Sequence, residues 1–136
     1  MAFKIELEQE EDGRWIAEVV DLPGVVVYGK TPEEAQALAL RTLADRLENG
    51  ESETVQRATR QFVPYRMSRW PSARSRRVLV ALLRIGWRVK RQSGSHRILS
   101  REGWPDVVFA FHDNEEIGPR MLARIARRTG LTSQDM

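Results

Sequence analysis

The chain contains two histidines, and one of them stands where chemistry is conceivable. Residues 90–97 read K-R-Q-S-G-S-H-R. An imidazole such as His96 can give or take a proton near neutral pH. Gly94 permits a turn and lets a backbone come close to a phosphate, and the Ser95 hydroxyl can donate to a phosphate oxygen. Lys90, Arg91 and Arg97 are candidates for stabilising developing negative charge. Strand alternation sets Lys90 and Gln92 opposite to Arg91, so these cations cannot all face one phosphate. An isolated histidine is more often an ordinary strand residue than a catalyst, so its neighbours must carry the case. His112 precedes Asp113, Glu115 and Glu116. Carboxylates ahead of a helix suit its dipole, and no second histidine lies one turn away. A turn-capping role is expected there, with no metal and no cofactor.

Charge narrows the classes of partner. Residues 1–55 hold 5 Lys/Arg against 13 Asp/Glu, a net −8, whereas residues 56–136 hold 17 against 6, a net +11. Such a split describes one half suited to a polyanion and another able to mimic or mask it. There is no cysteine, so a thiolate nucleophile, a disulfide and a thiolate metal site are excluded. The acidic, alternating N-terminus does not read as a signal peptide, and no apolar run approaches the ~20 residues of a membrane span. A cytoplasmic protein without membrane contact is expected.

The elements that must position these residues fall into two sets. Phe3, Ile5 and Leu7 alternate with Lys4, Glu6 and Glu8, the period of a half-buried strand. Asp12-Gly13 marks a hairpin into a second strand at 15–20, and Pro23-Gly24 precedes a third at 25–28. Thr31-Pro32-Glu33-Glu34 reads as a cap, a first-turn proline and a capping-box glutamate. The helix that follows lines up Ala35, Leu38, Ala39, Thr42, Leu43 and Leu47 and stops at Asn49-Gly50. Residues 1–50 therefore predict β-β-β-α. Residues 51–72 read as a linker with a short strand at 61–65. The remainder, 73–136, predicts a helix at 73–85 closed by Gly86, strands at 87–92, 97–101 and 107–111, and a helix from Gly118-Pro119 to Gly130. That order is α-β-β-β-α. The fold class is α+β in two small domains, the second arranged like a double-stranded-RNA-binding domain.

Two stretches carry a family resemblance. G-W-R-V-K-R-Q-S-G-S-H-R-I-L (86–99), with F-H-D-N-E-E-I-G-P-R-M-L-A-R-I-A-R-R-T-G-L (111–131), resembles the HicA family of mRNA interferase toxins. The resemblance implies a metal-independent RNA endonuclease with His96 as the catalytic residue and Arg91 as the family's arginine. D-L-P-G-V-V-V-Y-G-K-T-P-E-E-A (21–35), behind the N-terminal hairpin, resembles the HicB antitoxin family. Many members of that family continue into a DNA-binding tail, and none is evident here.

Arg120, Arg124, Arg127 and Arg128 follow i, i+4, i+7, i+8 spacing, which predicts a basic stripe opposite the apolar face of the last helix. Such a stripe can grip phosphates across an A-form minor groove. The combined expectation is a fused toxin–antitoxin module in which the acidic half, docked within one chain or swapped between two, holds an mRNA-cutting half inhibited. The alternatives are an RNA-binding module that does not cut, or a relic whose halves mainly bind each other.

Overall fold

A computed structural model describes residues 3–21, 24–46, 58–64, 68–94 and 96–136. The chain divides into two compact units, Met1–Arg66 and Met67–Met136, each mixing helix with sheet. No described helix is long and apolar enough to cross a membrane.

In the first unit, alternation does what the sequence predicts. Phe3, Ile5 and Leu7 of β1 (Phe3–Gln9) are buried. A tight turn then leads antiparallel into β2 (Trp15–Val19). The turn is closed by Glu10 N donating to Arg14 O at 2.8 Å and Gly13 N donating to Glu10 O at 3.0 Å. The Asp12 carboxylate accepts from Arg14 Nε at 2.8 Å. β3 (Val25–Gly29) pairs antiparallel with β2 and sets Gly29 opposite Trp15. α1 (Pro32–Arg46) starts where the cap predicts, with Thr31 Oγ1 accepting from Glu34 N at 3.1 Å. Ala35, Ala39 and Leu43 are fully buried. Leu47, Asn49, Gly50 and Pro23 lie outside the described residues.

The segment expected to be mostly linker contributes a strand. β4 (Ala58–Phe62) runs parallel to β1, so the sheet order is β4-β1-β2-β3. This strand is mainly polar, and its Phe62 is 54% exposed with its ring edge-on to Trp15 at 6.0 Å. An edge strand is held by backbone hydrogen bonds and needs few apolar side chains. Its sequence therefore lacks the alternation that would reveal it.

In the second unit, β5 (Ala73–Arg74) pairs with β9 (Glu116–Ile117). α2 (Ser75–Arg84) consequently starts two residues later than its apolar periodicity predicts. β6 (Arg88–Ser93), β7 (His96–Arg101) and β8 (Trp104–Phe109) form an antiparallel sheet in the order β8-β7-β6. β8 begins at Trp104 rather than 107, leaving Glu102-Gly103 as the turn. α3 (Pro119–Thr129) has Gly118 as its N-cap and Gly130 as its C-cap, as the sequence predicts. The core gathers Val78 and Leu82 of α2, Leu99, Val107 and Phe109 of the sheet, and Met121, Leu122 and Ile125 of α3.

Trp87 ties this core to the end of α3. It is 1% exposed, and its indole N–H donates to Thr129 O at 3.0 Å. Its ring meets Trp104 edge-on at 6.1 Å. Trp87→Ala is expected to destabilise this unit by about 3–5 kcal/mol, in the range for emptying a large aromatic site. Trp87→Phe should cost less, because it keeps a ring there and gives up chiefly the bond to Thr129. Thermal or denaturant unfolding of both variants checks the order.

Candidate active site

The site is built on the β6–β7 hairpin. Ser93 pairs directly with His96 across the two strands, so a short turn through Gly94 (φ +60°) brings β7 back beside β6. That left-handed backbone suits glycine. Ser95, a candidate donor in the sequence, lies outside the described residues. His96 is the first residue of β7 and is half-buried. Its imidazole makes no hydrogen bond to another described residue.

Alternation along β7 divides the neighbouring side chains between two faces. Leu99 is fully buried and pairs with buried Val107, which marks the core face. Arg97 shares that face with Leu99, and its guanidinium donates to Asp113 Oδ1 at 3.2 Å. His96 and Ile98 lie on the other face. The structure thus separates Arg97 from His96, although the two are adjacent in sequence.

A β-bulge corrects the expected placement of Lys90. The register of β6 against β7 shifts between Val89 and Arg91, so Lys90 and Arg91 both oppose Ile98. Two residues against one puts both side chains on the same side, and that side is the His96 face. Lys90 Nζ sits 2.9 Å from Asp106 Oδ2. This exposed pair is worth at most about 1 kcal/mol and so is easily exchanged for another anion. The face therefore collects His96, Arg91, Lys90 and Ser93. Ser93 is a residue the motif reading missed, and only the cross-strand register brings it in.

The α3 arginines do not form the exposed stripe their spacing predicts. Arg120 and Arg124 are 4% and 0% exposed, Arg128 is half-buried, and only Arg127 is exposed. Each i+4 step advances about 40° around a helix. On that count Arg120 and Arg127 stand roughly opposite Met121, Leu122 and Ile125, and only Arg128 nears their edge, so Arg120 is buried despite lying away from the apolar face.

His112 behaves as a turn residue. Its N–H donates to Glu115 Oε1 at 3.2 Å and its carbonyl accepts from Glu115 N at 2.9 Å. Among the described residues, no group of three His, Asp or Glu stands close enough together to hold a metal ion.

The second unit is thus a small α+β domain that presents a histidine among cations on one face of an antiparallel sheet. Residues 75–131 match the family described as HicA toxin of bacterial toxin-antitoxin. A HicA-type domain is present there, over less than half of the chain, and every candidate site residue falls within it. No curated protein matches the chain.

Proposed function

We propose that the second unit is a metal-independent RNA endonuclease and that the acidic first unit, HicB-like, holds it inhibited. The observation that carries the reading is His96 on one sheet face with Arg91 and Lys90, inside a stretch that matches a toxin family. The HicA family consists of mRNA interferases. The order α2-β6-β7-β8-α3 also suits a double-stranded-RNA-binding arrangement.

In this mechanism Arg91, with Lys90 beside it, draws the scissile phosphate onto the face and stabilises its negative charge as the 2′-hydroxyl attacks. His96 either takes the proton from that hydroxyl or gives one to the leaving oxygen, and water serves the other transfer. The RNA is mRNA, and the charge split between the halves of the chain supplies the long-range attraction for inhibition. A tether of about ten residues, between the end of β4 and the start of β5, keeps the inhibitor at about millimolar effective concentration. Inhibition is then the resting state, relieved by proteolysis between the units or by slow opening.

The test compares RNA cleavage by residues 67–136 and by the intact chain, both with EDTA present. The fragment is expected to cut and the intact chain to stay silent. A well-folded fragment that binds RNA without cutting it would leave a binding module instead.

A further inference from the structure

Away from the His96 face, α2 and the C-terminal turn enclose a groove of about 420 Å³. Arg76, Arg77 and Arg84 rim it, Val80 forms part of its floor, and Asp113 and Asp135 stand in its walls. The groove is open: Val80 is 47% exposed and the Arg76 side chain 67%.

Both aspartates are already engaged. Asp113 lies 3.2 Å from Arg97 and 3.9 Å from Arg76. Asp135 accepts from Thr132 N and Thr132 Oγ1, each at 2.8 Å. Those two bonds, backbone before side chain, hold its carboxyl below the usual carboxylate range, with a smaller attraction from Arg84. Arg74 donates to Asn114 O at 2.9 Å and so fixes the loop that closes one end. Arg77 makes no ion pair with a described residue. The first turn of α2 contains no acidic residue, so Arg77 sits at the positive end of a helix dipole with no carboxylate from its own turn, while Arg76 has Asp113 at 3.9 Å.

We propose that this groove holds one nucleotide of a single-stranded RNA flank, with its phosphate on Arg76 and Arg77 and its base against Val80. The inference rests on reading the second unit as an RNA-cutting domain and adds a second point of contact for the same substrate. Three observations favour a nucleotide over an acidic peptide. Residues 56–136 contain 16 arginines and a single lysine, and guanidinium both chelates phosphate and stacks on bases. The floor is apolar and exposed, as base stacking needs. The two aspartates can accept from the N–H groups of a base, which an acidic side chain does not offer. Asp113 also links the groove to the strand that starts at His96, through Arg97.

The groove belongs wholly to the second unit and lies away from the His96 face, so the intact chain should bind RNA even while it does not cut. The experiment uses the intact chain carrying His96→Ala, which removes cleavage, and a 5′-labelled single-stranded RNA octamer followed by fluorescence anisotropy. Adding Arg76→Ala, Arg77→Ala and Arg84→Ala together is expected to weaken binding at least tenfold. It should also flatten the log–log salt dependence by about 0.7, for the one phosphate no longer neutralised. Val80→Asp should weaken binding by about fivefold or more, because a charged side chain cannot stack on a base. Arg127→Ala, an exposed arginine outside the groove, should change it less than twofold.

Unchanged binding in the triple variant would overturn the proposal, as would failure of the intact chain to bind the octamer. So would displacement of the RNA by a hexaglutamate peptide at concentrations below those at which unlabelled octamer displaces it. The catalytic reading is scored separately, by cleavage with residues 67–136 and His96 intact. A fragment that cuts while the triple variant binds normally removes only the groove. One that does not cut while the triple variant loses binding removes only the catalysis.

Discussion

In residues 67–136, His96→Ala is expected to slow RNA cleavage by about 10² to 10⁴, the span a positioned acid or base contributes. Stability should barely move. The imidazole is half-buried and makes no hydrogen bond to a described residue, so its removal leaves no buried group unsatisfied. A large kinetic loss beside an unchanged unfolding curve separates catalysis from structure. Arg91→Ala should cost about 10² in rate, comparable to losing one charge-stabilising donor. Arg97→Ala should cost much less, because Arg97 lies on the opposite face and is bonded to Asp113. Equal losses at Arg91 and Arg97 would contradict the face assignment, and an unaffected His96→Ala would remove the endonuclease reading.

That contrast could not be read from the sequence, because it rests on the cross-strand register that sets Ser93 against His96 and Arg91 against Ile98. The K-R-Q-S-G-S-H run is visible, and alternation sets Gln92 opposite to Arg91, as the register has it. The bulge at Lys90 reverses the alternation of β6 upstream, and no residue in V-K-R-Q announces it. Glycine often marks such irregularities, but here a lysine takes the extra position. Signals of local chemistry fared better. Asp12-Gly13, Thr31 before Pro32, and Gly118 before Pro119 each act through their own backbone or the next turn, and the elements they mark stand where expected.

Signals that depend on distant partners were harder to see. β4 takes its place from hydrogen bonds to β1, more than fifty residues away, and its polar sequence carries no period. The two-residue pairing of Ala73–Arg74 with Glu116–Ile117 is too short to have one. Arg120 and Arg124 look like solvent-facing residues by type, yet they are buried. Their guanidinium ends are buried as well as their stems, which residue type alone does not announce. The α2 groove was missed for a related reason. Its arginines punctuate an apolar helix pattern, and attention to Val78 and Leu82 hides what surrounds Val80.

Gly29→Val offers the strongest test of the relation between the two halves, since it acts on one of them alone. A Cβ at Gly29 would meet the backbone of Ala35, at 2.6 Å from its Cα and closer still to its N. Backbone at the start of α1 cannot turn aside as a flexible side chain can. The strand carrying Gly29 is also fixed, by its pairing with Trp15. Valine must therefore push α1 off β3, at a cost of about 3 kcal/mol or more, the upper range for overpacking. A changed Trp15 environment and faster proteolysis within Met1–Arg66 would report the opening, while the second unit, with its own core, keeps its fold. If the first unit is an inhibitor, the intact Gly29→Val chain should cut RNA at a rate approaching that of residues 67–136, and His96→Ala in the same chain should silence it. A chain whose first unit has opened but which still leaves RNA intact, although the fragment cuts, would show that folding of that unit is not what restrains the nuclease.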